Sequence, residues 1–276
     1  MPIRLTLPPT FRDRLAGSDR AQTGMWVCSG SPLVAEICAG AGLDWLLIDG
    51  EHSPIGLETT SALLQAVAPY PVTPVVRAPS DDAVVLKQLL DLGVQNVLVP
   101  MVDTAEQAAA AVRAVRYPPH GVRGVGSALS RGARWNRVEG YLAEADRQVS
   151  LFVQVESVSG VDNARAIAAV DGVDGVFVGP SDLAASMGVL GEQTHPDVTA
   201  AVLRAFEGVR AAGKPVGVNA FDPAVARAYL DAGATFVLVG ADVALLARGS
   251  EALADRWIGD AGDQGPTSGT GATSGR

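Results

Sequence analysis

Two acidic side chains stand just beyond two apolar segments in the middle of the chain. Glu156 follows the run 151–155, and Asp182 follows the run 175–178 after a Gly-Pro break. Their spacing matches one strand plus a crossover helix, a unit of about 30 residues, so the two carboxylates are expected side by side at one edge of a parallel sheet. Because an ionised carboxylate beside a buried core is costly unless it is paired or metal-bound, the pair predicts a divalent metal site.

The sequence also restricts the metal and the chemistry. Two carboxylates leave the remaining coordination positions to water and substrate oxygens, which suits Mg²⁺, Mn²⁺ or Co²⁺ better than zinc. The chain has two lysines: Lys87 lies in a helical segment, and Lys214 precedes a strand at the end opposite the carboxylates. Neither is placed to form a Schiff base with a carbonyl substrate. Enolate chemistry at this site would therefore depend on the metal.

Arg77 and His52 are the other candidates for chemistry. Arg77 ends the apolar run 73–77, where a guanidinium has no packing role and is expected to meet an anion. A salt bridge to Asp49 or Glu51 is the alternative interpretation, and both roles can hold together. His52 closes the sequence Asp-Gly-Glu-His after another strand, and it is the acid–base candidate because imidazole titrates near neutral pH.

All these positions fall where strands end in a pattern that repeats eight times. Helical segments rich in alanine and leucine separate the strands. Eight such units in 276 residues predict an α/β fold, the (β/α)8 or TIM barrel, with its functional groups at the C-terminal ends of the strands. A doubly wound sheet would need a glycine-rich turn after the first strand, and the sequence 28–32 is not that fingerprint. The strands are predicted near 24–28, 44–49, 73–77, 96–101, 150–155, 175–179, 215–219 and 236–240.

The barrel is predicted to span residues 23–259. An N-terminal arm, 1–22, precedes it, and a disordered tail, 260–276, rich in Gly, Ser, Thr and Asp, follows it. One connection, 121–148, is too long for a plain loop. We expect it at the top of the barrel, where long insertions usually serve the active site.

Composition limits the partners and the cellular location. The formal charge of −9 and the pI near 4.8 argue against nucleic acid, whose phosphates need clustered Lys and Arg. No apolar run is long enough to span a bilayer, and the N-terminus lacks the apolar region of a signal peptide. Two cysteines form no disulfide framework. We therefore expect a cytoplasmic protein with no nucleic-acid or membrane partner.

Several motifs, taken together and in order, resemble the HpcH/HpaI aldolase family. The similarity covers roughly residues 22–259 and implies a class II pyruvate aldolase, which joins or cleaves a 2-oxo acid and an aldehyde with a divalent metal. It implies metal ligation by Glu156 and Asp182, and substrate contact by Arg77 and Gln154. The motifs are Asp-Trp-Leu-Leu-Ile-Asp-Gly-Glu-His at 44–52, Lys-Gln-Leu-Leu-Asp at 87–91, Tyr-Pro-Pro-His-Gly-Val-Arg-Gly-Val-Gly at 117–126, Arg-Trp-Asn-Arg at 134–137 and Gly-Val-Phe-Val-Gly-Pro-Ser-Asp at 175–182.

The resemblance also implies a catalytic pair of His52 with Asp91 and a homo-hexamer, a dimer of trimers, whose last helix packs on a neighbouring subunit. Asp91 lies near the end of a helix that runs antiparallel to the strands, so it is expected at the bottom of its own barrel. It would then reach His52 only in an adjacent subunit. Asp49 is the alternative partner within the chain, and a surface acid at a helix end is the other interpretation of Asp91.

Three further residues are candidates for binding the substrate. Backbone N–H groups near Ser181 and Asp182 are expected to bind the carboxylate of the 2-oxo acid. Asn219, at the rim of the seventh strand, favours hydroxylated partners, so hydroxypyruvate is a candidate donor beside pyruvate.

Three other functions are also compatible with the sequence. A CoA-thioester lyase of the citrate or malyl type would need a basic patch for the CoA phosphates. A transferase that uses phosphoenolpyruvate would need a phosphate site where Asp242 stands. A barrel that binds a 2-oxo acid without turning it over is the non-enzymatic alternative.

Overall fold

Eight parallel strands close into a barrel in the computed structural model, which describes residues 3–258. Each strand pairs with the next one along the chain, and the eighth pairs back with the first. The predicted (β/α)8 barrel is confirmed, and every strand lies close to its predicted bounds. The strands are Gln22–Val27 (β1), Trp45–Asp49 (β2), Thr73–Arg77 (β3), Asn96–Val99 (β4), Ser150–Val155 (β5), Gly175–Val178 (β6), Val216–Asn219 (β7) and Phe236–Ala241 (β8).

Helices separate the strands, and local signals account for where several of them begin. Thr104 forms a capping box with Gln107, Ser31 caps a helix with proline in its first turn, and Asp222 does the same before Pro223, all of which are typical helix starts. The helices are Phe11–Ala16 (α1), Pro32–Ala39 (α2), Leu57–Val67 (α3), Ala83–Asp91 (α4), Ala105–Val115 (α5), Tyr141–Gln148 (α6), Val158–Asp162 (α7), Ala164–Ala168 (α8), Pro180–Ser186 (α9), Pro196–Ala211 (α10), Pro223–Asp231 (α11) and Asp242–Ile258 (α12), with a 3-10 turn at Ser127–Leu129.

Residues Val243–Ile258, the body of helix α12, belong to a second compact unit. Among residues 3–258, no helix combines the length and the apolar character that a membrane crossing requires. The predicted tail, 260–276, lies outside the described residues.

The strands are buried on both faces, as parallel barrel strands must be. In β5, Leu151 and Val153 pack outward in the main hydrophobic core, and Phe152 points into the barrel, where its ring lies 5.3 Å from that of Phe11 and 5.5 Å from that of Phe236. Aromatic rings thus fill the bottom of the barrel. Because side chains alternate along a strand, Gln154 also points inward, one layer closer to the C-terminal rim.

The long connection, 121–148, lies at the N-terminal end of the barrel strands and not at the predicted C-terminal end. It follows α5 and leads into β5, so it packs where the strands begin. There the Gly132 N–H donates to the Asp91 carbonyl at 3.1 Å, and Arg131 Nη1 donates to the Leu92 carbonyl at 3.0 Å. The expectation that 121–148 covers the top of its own barrel is wrong, because a segment that runs from a helix to the next strand must lie at the N-terminal face.

Candidate active site

Strands β5 and β6 bring Glu156 and Asp182 to the same rim. Glu156 directly follows β5 and is 3% exposed, and Asp182 lies in the first turn of α9, which begins just after β6. The two strands are paired up to Val155 and Val178. Burial, and then the charges of Asp182 and Glu51, raise the pKa of the Glu156 carboxyl to about 7. The two predicted metal ligands are therefore close enough for their charges to interact.

Two hydrogen bonds fix the Glu156 carboxylate. Its Oε1 accepts from the Met101 backbone N–H at 2.9 Å, and its Oε2 accepts from the side-chain amide of Gln154. Met101 has a φ of 55°, a left-handed conformation that is strained for a residue with a side chain. No sequence pattern pointed to Met101, because its contribution is a backbone N–H that only the fold directs toward Glu156.

Arg77 is a buried cation, 5% exposed, at the top of β3. Its Nε donates to Asp49 Oδ1 at 2.8 Å, and its Nη1 lies 2.9 Å from Glu51 Oε2, so the salt bridges considered from sequence are both present. The guanidinium also stacks 4.4 Å from the centre of the Trp26 ring. Burial opposes ionisation of Asp49, but Arg77 and the backbone N–H groups of Glu51 and His52 outweigh it and lower the pKa of Asp49.

Carboxylates outnumber cations at this rim. Arg77 pairs with Asp49 and Glu51. Within residues 3–258, no cationic side chain pairs with Glu156 or Asp182. In the same part of the chain, Gln154 Oε1 is buried without a hydrogen-bond partner. Uncompensated carboxylates and a buried amide oxygen fit a cation that prefers oxygen ligands.

The donor set is small. In the described part of the chain, no group of three or more His, Cys, Asp and Glu side chains could hold a metal ion. The two predicted ligands, Glu156 and Asp182, are both carboxylates, so a cation held by them would take its other ligands from water or substrate oxygens.

His52 stands at the rim with its side chain 66% exposed. Its Nε2 lies 3.8 Å from Glu51 Oε2. Asp49 makes no hydrogen bond to the His52 imidazole. Its oxygens accept from the backbone N–H groups of Glu51 and His52, from the Ser53 hydroxyl and from Arg77. Asp49 therefore shapes the turn that carries His52.

Asp91 is the last residue of α4. The helix starts after the C-terminal end of β3 and runs back to the start of β4, so Asp91 lies at the bottom of the barrel while His52 lies at the top. The structure does not bring these two residues together within one chain.

The remaining predicted substrate contacts lie on the strands and helix that form the rim. Asn219 ends β7, and its Oδ1 accepts from the Trp26 indole N–H at 2.8 Å. Ser181 donates to Gln193 Oε1 at 2.6 Å. Trp26, which the sequence analysis did not single out, contacts both Arg77 and Asn219. Its place in β1, at an inward position near the strand end, is the signal that could have identified it.

An acid occupies the position that a phosphate site would need. Asp242, at the start of α12, accepts from the backbone N–H groups of Cys28 and Ser29 at 2.8 and 3.1 Å. These donors are therefore already used by a carboxylate, which disfavours the phosphoenolpyruvate alternative. Cys28 itself has its pKa raised to about 11, mainly by burial, so its thiol is not an activated nucleophile.

The chain is similar to known proteins over most of its length. The sequence profile described as HpcH/HpaI aldolase/citrate lyase matches residues 22–249. A Deinococcus radiodurans protein named hydroxypyruvate/pyruvate aldolase is 56% identical over 257 residues, 92% of each chain. A Salmonella heidelberg protein named 4-hydroxy-2-oxo-heptane-1,7-dioate aldolase is 51% identical, over 90% of this chain and 94% of its own. A crystal structure of an HpcH/HpaI aldolase/citrate lyase family protein from Burkholderia cenocepacia superposes with a TM-score of 0.85 at 41% identity, over 89% and 97% of the two chains.

Proposed function

Because the chain belongs to the HpcH/HpaI aldolase/citrate lyase family and is thus an aldolase, a carbon–carbon lyase, we propose that it reversibly joins pyruvate or hydroxypyruvate to an aldehyde with the help of a divalent cation. The observation that carries the proposal is that the buried Arg77 is paired with Asp49 and Glu51, while Glu156 and Asp182 at the same rim have no cationic side-chain partner in residues 3–258. The names of its relatives support the two donors.

Glu156 and Asp182 would hold the cation, which we propose to be Mg²⁺, Mn²⁺ or Co²⁺. When bound, the cation supplies positive charge that stabilises the enolate of a 2-oxo acid. The oxygen-only donor set and the excess of carboxylates at the rim support this choice. The Met101 N–H and the Gln154 amide keep the Glu156 carboxylate in one orientation, so the ligand is preorganised.

Arg77 is proposed to stabilise negative charge on the substrate oxygen while the bond between C3 and C4 breaks or forms. A guanidinium fixed by Asp49, Glu51 and the Trp26 ring cannot rotate freely, and such preorganised donors contribute most in a site shielded from water. Its burial, at 5% exposed, supports this role. Arg77 is then both a structural ion-pair partner and a catalytic residue.

His52 is proposed to move a proton between solvent and the oxygen of the aldehyde or alkoxide, paired with Asp91 of an adjacent subunit. The exposed imidazole supports this arrangement, and so do the full set of contacts on Asp49 and the position of Asp91 at the opposite end of the same barrel. Each active site would then be complete only in the oligomer.

Asn219 is proposed to favour a hydroxylated donor. An indole N–H can only donate, so the Trp26 contact assigns Oδ1 of Asn219 to Trp26 and directs the amide NH₂ elsewhere. That NH₂ can donate to the hydroxyl of hydroxypyruvate. Gln154 and the N–H groups at Ser181 and Asp182, at the start of α9, would bind the carboxylate end of the 2-oxo acid.

We further propose a homo-hexamer, a dimer of trimers, in which α12 packs on a neighbouring subunit. Leu246, Leu253 and Trp257 recur at helical spacing in α12 and are 55–78% exposed, which supports an unfilled contact surface. We also propose a cytoplasmic location without a nucleic-acid partner, which is supported by two free cysteines and by the net charge of −9.

Exchange of the pyruvate methyl protons into D₂O, followed by NMR, tests the proposed function without a choice of aldehyde. Protein stripped with EDTA should be inactive, and Mg²⁺, Mn²⁺ or Co²⁺ should restore exchange. Glu156→Gln should abolish the restored exchange, and Glu207→Gln, on the exposed face of α10, should leave it intact. Absence of exchange with every metal, for both pyruvate and hydroxypyruvate, would refute the proposal.

A further inference from the structure

Arg123 is a buried cation far from the rim. The residue is 1% exposed, and a buried charge is costly unless it is paired and hydrogen-bonded. Its Nη2 donates to the Tyr141 hydroxyl at 3.2 Å. Its Nε and Nη1, however, have no hydrogen-bond partner within residues 3–258. A position that needed only packing would be better filled by an apolar side chain.

Two aromatic rings lie close to the guanidinium of Arg123. It lies 4.4 Å from the centre of the Tyr117 ring and 5.9 Å from that of Tyr141, both within reach of a cation–π interaction. These tyrosines belong to a small core cluster that also includes Leu7, Ala133 and Val138. The guanidinium is therefore packed among side chains of the connection 121–148 and of Tyr117 just before it.

The guanidinium faces the carboxylate of Asp91. Arg123 Nη2 lies 3.6 Å from Asp91 Oδ1, and the Asp91 side chain as a whole is 29% exposed. Oδ1 is buried and has no hydrogen bond in the described part of the chain. Oδ2 lies next to Gly126, 3.5 Å from where a Cβ would be. One oxygen thus faces the buried cation, and the other lies beside a residue without a side chain.

Asp91 needs such a partner. It is the last residue of α4, where the helix dipole disfavours a negative charge. Asp91 also lines an open groove of about 560 Å³ with Ser61, Leu129 and Trp135. The Asp91 carboxylate thus faces the buried Arg123 on one side, and Asp91 borders an open groove on the other.

We propose that Arg123 is a positioning residue that orients the Asp91 carboxylate toward His52 of an adjacent subunit. The inference rests on the proposed function, which assigns Asp91 to that pair. Arg123 touches neither substrate nor metal; it acts through Asp91. The other interpretation is that Arg123 only anchors the long connection to α4, in which case its removal would affect folding and assembly but not a step that depends on His52.

A double-mutant cycle separates these interpretations. Arg123→Met should lower kcat for aldol cleavage about tenfold or more and should leave KM for the 2-oxo acid unchanged. This loss is smaller than the one expected on removal of the acid–base group itself. In a His52→Ala or Asp91→Asn background the same substitution should cause no further loss. Arg123→Lys, which keeps the charge but not the planar fork, should recover part of kcat. Arg204→Met on α10 is the surface control.

The assembly of each variant is measured by analytical ultracentrifugation, so that a loss of kcat is counted only in an intact oligomer. If Arg123→Met does not fold, Tyr141→Phe replaces it, and it should lower kcat in the wild-type background but not in Asp91→Asn. Unchanged kcat in the folded variant, or a loss that adds to that of Asp91→Asn, overturns the inference. Wild-type kcat in Asp91→Asn would instead overturn the proposed pair, and no turnover in the wild type would overturn the proposed function.

Discussion

Gly179 lies directly against the Glu156 carboxylate, and a methyl group on its Cα would be 2.7 Å from Oε2 and 3.1 Å from the Gln154 amide nitrogen. Gly179 is the residue that links β6 to α9. A side chain there would have to displace the proposed metal ligand. The glycine is therefore explained by the space that Glu156 occupies.

Gly179→Ala should accordingly disturb the site more than the fold. The added methyl group pushes Glu156 from its position, and a displacement of about 1 Å at a reacting centre can reduce the rate about 10²-fold. We expect a comparable fall in metal-dependent aldol cleavage and weaker binding of Mn²⁺ by calorimetry. Gly240→Ala is the control, because a Cβ there meets nothing within 4 Å. Equal activity of the two variants would contradict this account of Gly179.

Arg77→Ala should reduce kcat for cleavage about 10²- to 10³-fold, the effect of losing one preorganised donor to a developing oxyanion. Arg77→Lys should recover only a part, because a single ammonium cannot keep the contacts to Asp49 and Glu51 and the stacking on Trp26. Steady-state kinetics measures both variants, with circular dichroism to verify the fold. Arg204→Ala on α10 should behave as wild type. Near-normal turnover of Arg77→Ala would exclude the catalytic role.

Asn219→Leu should shift donor preference from hydroxypyruvate toward pyruvate. The substitution removes one hydrogen bond to the donor hydroxyl, which changes the ratio of the two kcat/KM values by about tenfold. Trp26→Phe, which removes the indole donor to Asn219 Oδ1, should produce a smaller shift in the same direction. The ratio is measured with one fixed aldehyde, and an unchanged ratio in Asn219→Leu would show that the amide does not contact the donor.

Asp44→Asn tests a structural ion pair at the start of the barrel. Asp44 is bonded by Arg20 at 2.6 and 2.7 Å and by the Thr23 N–H at 2.8 Å, and its pKa is lowered, first by the hydrogen bond from Arg20. Because the folded-state pKa lies below the unfolded one, the carboxylate stabilises the fold above the ordinary aspartate value and loses this effect as the pH falls through the folded-state value.

Urea unfolding measures the consequence. Asp44→Asn should unfold at lower urea than wild type at pH 7. The difference should begin to shrink below about pH 4, where Asp44 of the unfolded chain takes up a proton, and should vanish once the pH falls below the lower pKa of the folded state. Asp19→Asn, an exposed aspartate nearby in the chain, is the control. A difference that stays constant down to acid pH would show that charge is not the cause.

Several features of the site lay beyond the reach of sequence analysis. The Met101 N–H, the Gly179 contact, the Trp26–Asn219 bond and the burial of Arg123 each depend on residues far apart in the chain, so no local pattern reports them. The wrong prediction for the position of the connection 121–148 has a different cause. Its length indicated a functional segment, but its face of the barrel follows from element order, because a segment between a helix and the next strand lies where strands begin.

The sequence by itself determined the barrel and the types of residue at its rim. Strand and helix periodicity are local properties of a sequence. Once the strands are predicted from them, the residues at the strand ends are known, as with Glu156, Asp182 and Arg77. Only the tertiary structure decided how these groups are paired: Arg77 forms ion pairs with Asp49 and Glu51, and no cationic side chain in residues 3–258 pairs with Glu156 or Asp182. Hydrogen bonds and charge interactions depend on distances of a few ångströms, and these arise only when β2, β3, β5 and β6 close into one barrel.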